Sequence, residues 1–239
     1  MACEELWNGV SLHYPDGSFR LGTDSVVLAD FALPVKGGKI CDLGCGTGAI
    51  ALMLLASDEK ASAVGVELQA ALADAAKENA VKNGLCERLS VVQGDLREIR
   101  SLLPANGFTC VVANPPYFPA DSLPPKDQSL AISRMETYCT PDDLCAAASW
   151  LLTSGGRFCM VHRPERLADL ICALRSHQLE PKTIQFVRHK AESKRSLVLI
   201  EAVRDGKVGL ACPDDLILYT PDGSPTADCR RIYHKEALQ

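Results

Sequence analysis

Short apolar runs of four or five residues recur along the chain, and most are followed by a stretch with apolar positions at helical spacing. Residues 40–43 (ICDL), 63–67 (AVGVE), 89–93 (LSVVQ), 109–113 (TCVVA) and 157–161 (RFCMV) predict short buried strands. Residues 49–56 (AIALMLLA), 69–81, 141–152 and 164–176 predict the helices between them, with Asn83-Gly84 and Gly155-Gly156 as stops. Residues 183–187 and 197–203 predict a closing strand pair joined by HKAESKRS. Residues 216–219 predict one more short strand, and a last helix starts at Thr226. Upstream, residues 10–20 (VSLHYPDGSFR) predict a hairpin turning at Pro-Asp-Gly. A helix follows with Val26, Val27, Leu28 and Phe31 as its apolar residues, capped by Thr23 or Asp24. Seven strands alternating with helices predict an α/β, doubly wound, Rossmann-like sheet with helices on both faces. No repeat or linker divides it. Residues 1–239 therefore read as one domain, with an N-terminal extension (1–38), a core (39–207) and a C-terminal strand-helix extension (208–239).

The chemistry concentrates where the first core strand ends. Asp42 precedes Gly44, Gly46 and Gly48 in the pattern DxGxGxG, and a helix follows directly. Glycines let a ligand approach the backbone, and the helix turns its unpaired N–H groups towards it. A dinucleotide fingerprint has a different order, GxGxxG with its acid about 20 residues later. The alternative here is a generic glycine-rich loop of an α/β fold. Later acids argue against it, because Glu67 and Asp95 each stand at a strand's carboxyl end, where open α/β sheets bind ligands. The 109–113 strand runs into Asn114-Pro115-Pro116-Tyr117, a rigid, extended exit that holds an amide and a phenol ring beside the glycine loop. Residues 118–138 predict a binding loop or lid.

Composition narrows the class. The eleven cysteines contain no CxxC pair, so they read as free, mostly buried thiols of a reduced cytoplasmic protein, with Cys41, Cys110, Cys159 and Cys172 in apolar stretches. No metal site, membrane span or export signal is expected. The net charge is −5, but residues 157–207 carry 11 Lys/Arg against 6 Asp/Glu. Such a segment suits a polyanion met on one face.

DLGCGTG, Glu67, Asp95 and NPPY resemble the class I S-adenosyl-L-methionine-dependent amino-methyltransferases. Three further stretches, RLGTDSVVLADF, RHKAESKRSLVLIEA and LYTPDGSPTADCRRIYH, resemble the bacterial tRNA(Val) adenine N6-methyltransferases. The resemblance implies S-adenosyl-L-methionine as cofactor, held by Thr23, Asp24, Asp42, Gly44, Cys45, Gly46, Glu67, Leu68, Asp95, Leu96 and Asn114. It implies catalysis by Asn114, Pro115, Pro116 and Tyr117 on the exocyclic N6 of an adenine, most simply in tRNA near the anticodon. Arg134, Lys190, Lys194 and Arg195 are the substrate-binding candidates it implies, with Glu136 beside Arg134, and the tail Arg230, Arg231, His234 and Lys235 is a further source of phosphate contacts. A monomer or weak dimer is expected. Two enzyme alternatives stay open: methylation of a protein glutamine, whose amide is also planar, and methylation of ribosomal RNA or DNA. A non-enzymatic cofactor-binding scaffold is a third.

Overall fold

The computed structural model describes residues 2–15, 20–115 and 139–233. Its frame is an eight-stranded sheet. In chain order the strands are β3 (Lys39–Leu43), β4 (Ser62–Glu67), β5 (Leu89–Gln93), β6 (Phe108–Ala113), β7 (Leu152–His162), β8 (Leu179–Lys190), β9 (Arg195–Arg204) and β10 (Leu216–Tyr219). Across the sheet the order is β10-β8-β9-β7-β6-β3-β4-β5, with β9 alone antiparallel to its neighbours. The expected seven strands become eight because 216–219 joins the edge, parallel to β8.

The central strands are continuous apolar runs because both faces are covered. On one face α1 (Thr23–Ala32), α2 (Ala49–Ser57), α3 (Ala70–Lys82) and α7 (Ala227–Ile232) contribute to a core with Ile40, Val112 and Val161. On the other, α5 (Pro141–Leu151) and α6 (Leu167–Ser176), with short α4 (Ile99–Leu102), pack on Leu43, Val66, Phe158 and Met160. Helix α2 is buried over Ile50–Leu55, which explains a sequence with no polar face. The Thr140 side chain and Asp143 form a reciprocal capping box that starts α5, with Pro141 in its first turn.

Several expectations shift. The structure shows a hairpin that pairs β1 (Ala2–Glu5) with β2 (Ser11–Tyr14) through Trp7–Gly9, turning at Asn8-Gly9; the expected turn at Pro-Asp-Gly falls on Asp16 and Gly17, which lie outside the described residues. Asn8 and Gly9 have φ of 52° and 79°, the left-handed pair a tight hairpin requires. Neither Thr23 nor Asp24 caps α1: the cap position is Gly22, and Thr23 opens the helix. Gly155 and Gly156 do not end α5 but lie inside β7, where Gly155 (φ 79°) accompanies a shift in pairing register against β6. Cys172 is exposed, whereas Cys41, Cys45, Cys110, Cys145, Cys159 and Cys229 are buried.

The hairpin is held to α3 by two asparagines one helical turn apart. Asn79 Oδ1 accepts the His13 N–H at 2.9 Å and its Nδ2 donates to the His13 carbonyl at 3.0 Å. Asn83 does the same to Ser11, at 2.8 and 2.7 Å. Each amide thus satisfies one outward-facing N–H and C=O of β2, as a neighbouring strand would.

Candidate functional site

The parallel strands end together, and the site is built on that rim. Leu43 lies in register with Val66 of β4 and with Ala113 of β6, and Glu67 with Gln93 of β5. Gly44 and Asn114 are therefore the next residues out from a paired couple on strands roughly 5 Å apart. The glycine loop and the amide that sequence spacing linked are neighbours at the sheet's carboxyl edge.

Gly44, Gly46 and Gly48 have φ of 72°, 55° and 88°. A Cβ placed on Gly44 or Gly46 would meet no heavy atom within 4 Å, so the loop presents bare backbone to open space. The loop is tied from behind. The N–H groups of Gly44 and Cys45 both donate to the Val66 carbonyl, at 2.8 and 3.1 Å. Asn79 Nδ2 also donates to the Thr47 carbonyl at 3.0 Å.

Two buried acids stand behind this loop. Asp42 is 1% exposed, and neither carboxylate oxygen has a hydrogen bond of ordinary geometry. Burial pushes its carboxyl up to about 7, with Glu67 adding to the rise and the Ala51 N–H of α2 opposing it. Glu67 is also buried; its Oε2 accepts the Gly46 N–H at 2.8 Å and its Oε1 the Gln69 N–H at 2.9 Å. Burial raises its carboxyl despite these bonds. Beside it Leu68 is 41% exposed, an apolar side chain bare at the rim.

Other expected residues are differently occupied. Asp95 faces Arg97, whose Nε donates to both carboxylate oxygens at 3.0 and 2.9 Å and whose Nη2 donates at 2.5 Å. That bonding holds the Asp95 carboxyl below its usual range, so a nucleobase amine would share an acceptor already in use. Leu96 follows Asp95, half-buried against the α5 side. Thr23 and Asp24 sit in the first turn of α1, where Thr23 Oγ1 accepts from Tyr233 Oη at 3.3 Å and Asp24 Oδ1 accepts the Ser25 N–H at 2.9 Å.

At the exit of β6, Asn114 Nδ2 donates to Ser25 Oγ at 3.0 Å. Pro115 follows, half-buried. Pro116, Tyr117, Arg134, Glu136, His234 and Lys235 lie outside the described residues.

The basic candidates sit on the same rim, farther along it. Strand β8 runs parallel to β6 and lies three strands away, roughly 14 Å. Lys190 Nζ donates to the Pro221 carbonyl at 2.8 Å. Arg195 and Arg188 share Asp215, at 3.0 and 2.6 Å, and Arg195 also lies over the Phe186 ring. Lys194 is exposed on the turn between β8 and β9. The cluster expected from Lys190, Lys194 and Arg195 is thus partly neutralised by Asp215.

Sequence reasoning missed three residues here. Ser25 had a usable signal, its place in the first turn of the helix preceding the glycine-loop strand. Asn79 had none, since mid-helix asparagine reads as surface. His162, buried at the carboxyl end of β7, looked like an ordinary strand-end residue; burial pushes its imidazole down to about 4.

Sheet order, bare glycine loop and acid-ended strands define an S-adenosyl-L-methionine-dependent methyltransferase of the Rossmann-like class. The chain belongs to the methyltransferase small domain family, whose model matches residues 20–173, and within it to the family of the tRNA1(Val) (adenine(37)-N6)-methyltransferases. It is 33% identical over 189 residues to the tRNA1(Val) (adenine(37)-N6)-methyltransferase of Porphyromonas gingivalis, covering 75% of this chain and 73% of that protein. In fold it is similar to a predicted O-methyltransferase from Agrobacterium tumefaciens (TM-score 0.74, 21% identity, 89% of this chain and 96% of that one). It is also similar to the geranyl diphosphate C-methyltransferase of Streptomyces coelicolor, solved with S-adenosyl-L-homocysteine (TM-score 0.55, 17% identity, 75% and 79%). Among the described residues no helix is long and apolar enough to cross a membrane, and no three His, Cys, Asp or Glu residues are grouped as metal ligands.

Proposed function

We propose that this chain methylates the exocyclic N6 of an adenine in RNA, with tRNA as the substrate class. The relative from Porphyromonas gingivalis, by its name, acts on tRNA1(Val) at adenine 37. The observation that carries the reading is the placement of Asn114 beside Gly44 at the ends of paired parallel strands.

The residues present fit the cofactor. Open space over Gly44 and Gly46 lets a ligand lie against bare backbone, and the buried Asp42 carboxyl behind the loop, which burial raises to about 7, gives up its proton more readily beside a cationic one. Gly44, Cys45, Gly46, Asp42, Glu67, Leu68, Asp95 and Leu96 are the residues proposed to hold it, with Thr23 and Asp24 of the N-terminal extension closing over it. When bound, S-adenosyl-L-methionine supplies a methyl carbon made electrophilic by its sulfonium.

The protein's own task is to orient a poor nucleophile. The adenine amine has its lone pair delocalised into the ring. Asn114 Oδ1 and the Pro115 carbonyl each accept one of its N–H groups, which turns the lone pair outward and favours positive charge on nitrogen. The new bond is N–C, the bond broken is C–S, and the surplus amine proton passes to water. Tyr117 stacks on the base; such stacking contributes about 1–3 kcal/mol against the few kcal/mol needed to extrude it. Lys194, with Lys190, Arg195 and Arg134, contacts phosphates.

The test is reaction of the purified protein with unmodified tRNA and labelled donor, followed by mass spectrometry of the nucleosides. N6-methyladenosine is expected with the native protein and falls to a small residual rate in Asn114→Ala, which still binds S-adenosyl-L-homocysteine. Methyl transfer to protein glutamine but not to RNA overturns the substrate assignment.

A further inference from the structure

We infer that Ser25 is a positioning residue for the target amine, acting through the Asn114 side chain. The inference rests on the reading that Asn114 accepts a hydrogen bond from that amine.

Ser25 lies in the first turn of α1, 89 residues before Asn114, and the 3.0 Å bond between them joins that helix to the exit of β6. Helix α1 is a fixed support. At its start Thr23 accepts from Tyr233. Asp30 pairs with Arg231 at 2.5 Å. At its end Arg157 donates to the Ala32 and Pro34 carbonyls at 3.0 and 2.9 Å, while its Nε reaches Glu201 at 2.7 Å. The Ser25 hydroxyl is therefore anchored to the same sheet that carries Asn114.

An asparagine amide has ends of opposite character: Nδ2 only donates and Oδ1 only accepts. An amine approaching for methylation presents N–H groups, so only Oδ1 can receive it; with the amide turned over, donor would face donor. In the productive orientation Nδ2 needs an acceptor in a half-buried place, and Ser25 Oγ is that acceptor. The hydroxyl can take either role. What it fixes is the amide plane, together with a partner for Nδ2 when Oδ1 faces the substrate. Asp24 Oδ1, accepting the Ser25 N–H, adds a second tie to the same turn.

The test compares Ser25→Ala and Ser25→Thr, the second of which keeps the hydroxyl. Ser25→Ala is expected to lower kcat by about 10- to 100-fold, the scale of a small misplacement of a reacting group. KM for tRNA and the affinity for S-adenosyl-L-homocysteine should stay within about twofold, and Ser25→Thr should recover most of kcat. In an Asn114→Ala background, single-turnover rates should show no further loss from Ser25→Ala. An unchanged kcat in Ser25→Ala, a Ser25→Thr as damaged as Ser25→Ala, or an equal further loss without Asn114 overturns the inference. Full turnover by Asn114→Ala alone instead overturns the reading on which it rests.

Discussion

Asn79, in the middle of α3, holds the Thr47 carbonyl of the glycine loop while its other hydrogen bonds grip His13 of the N-terminal hairpin. One fully buried amide therefore couples the extension, the loop and the helix. Asn79→Ala leaves the Thr47 carbonyl and the His13 N–H without these partners. A loss of roughly 3 kcal/mol in unfolding free energy is expected, since each unmet buried group costs about 1–3 kcal/mol. Donor affinity should fall with it because Thr47 belongs to the loop. Denaturant unfolding and calorimetric titration check both; an unchanged midpoint removes Asn79 from this role.

Gly65 on β4 is glycine because the loop leans on it. A Cβ there would fall 2.5 Å from Cys45 Sγ and 3.1 Å from its Cβ. Gly65→Ala should destabilise by about 1–3 kcal/mol, as overpacked cores do, and should displace the loop. The double variant Gly65→Ala/Cys45→Ala removes the sulfur and should melt above Gly65→Ala alone. If the two losses simply add, the contact is not the cause.

Stability should respond to pH through two buried groups of opposite sign. Asp42 is raised from 3.8 to about 7, so the folded state keeps a proton that the unfolded chain releases. Its contribution is present at low pH and is lost as pH rises from about 4 to about 7, roughly 4 kcal/mol in all. His162 is lowered from 6.5 to about 4. The unfolded imidazole takes a proton that the folded one refuses, so stability is lost as pH falls over that window, by roughly 3 kcal/mol. The two slopes oppose each other between about pH 4 and 6.5. Asp42→Asn should therefore make stability rise more steeply with pH in that range, and His162→Gln should make it fall. Urea unfolding at several pH values reads the two slopes, and shifts of the same sign in both variants would contradict the assignment.

The core was legible because each central strand is a continuous apolar run and each turn carries its own punctuation: Gly44 to Gly48 after β3, Asn83-Gly84 after α3, the two prolines after β6. The edges were less legible. Asn8-Gly9 is a strong turn signal, but strand β1 (ACEE) has no apolar alternation to announce it. The Gly155-Gly156 pair reads as a helix stop, although here the sheet uses it to change register. The charges around β8 read as free cations because Asp215, which takes Arg188 and Arg195, lies at least 20 residues farther on and meets them only in the fold. Sequence patterns report local spacing well and long-range pairing poorly.

Glu67 separates two ways an acid can serve a nucleoside cofactor. Its oxygens already accept the Gly46 and Gln69 N–H groups, so it shapes the loop whether or not it also meets a ribose. Each carboxylate oxygen retains acceptor capacity beyond that one bond, enough for two hydroxyls. Glu67→Gln keeps one acceptor oxygen and turns an NH2 group towards one of the two backbone donors. S-adenosyl-L-homocysteine affinity should fall by about 10- to 100-fold, the scale of one or two charge-assisted hydrogen bonds. A 2′-deoxy analogue distinguishes the roles. If Glu67 also accepts from the ribose, the analogue binds the native protein weakly and loses less affinity in Glu67→Gln than S-adenosyl-L-homocysteine does. If the carboxylate serves the loop alone, the two losses add. We expect the first outcome, because Glu67 ends its strand beside the bare glycines and Leu68 there is exposed.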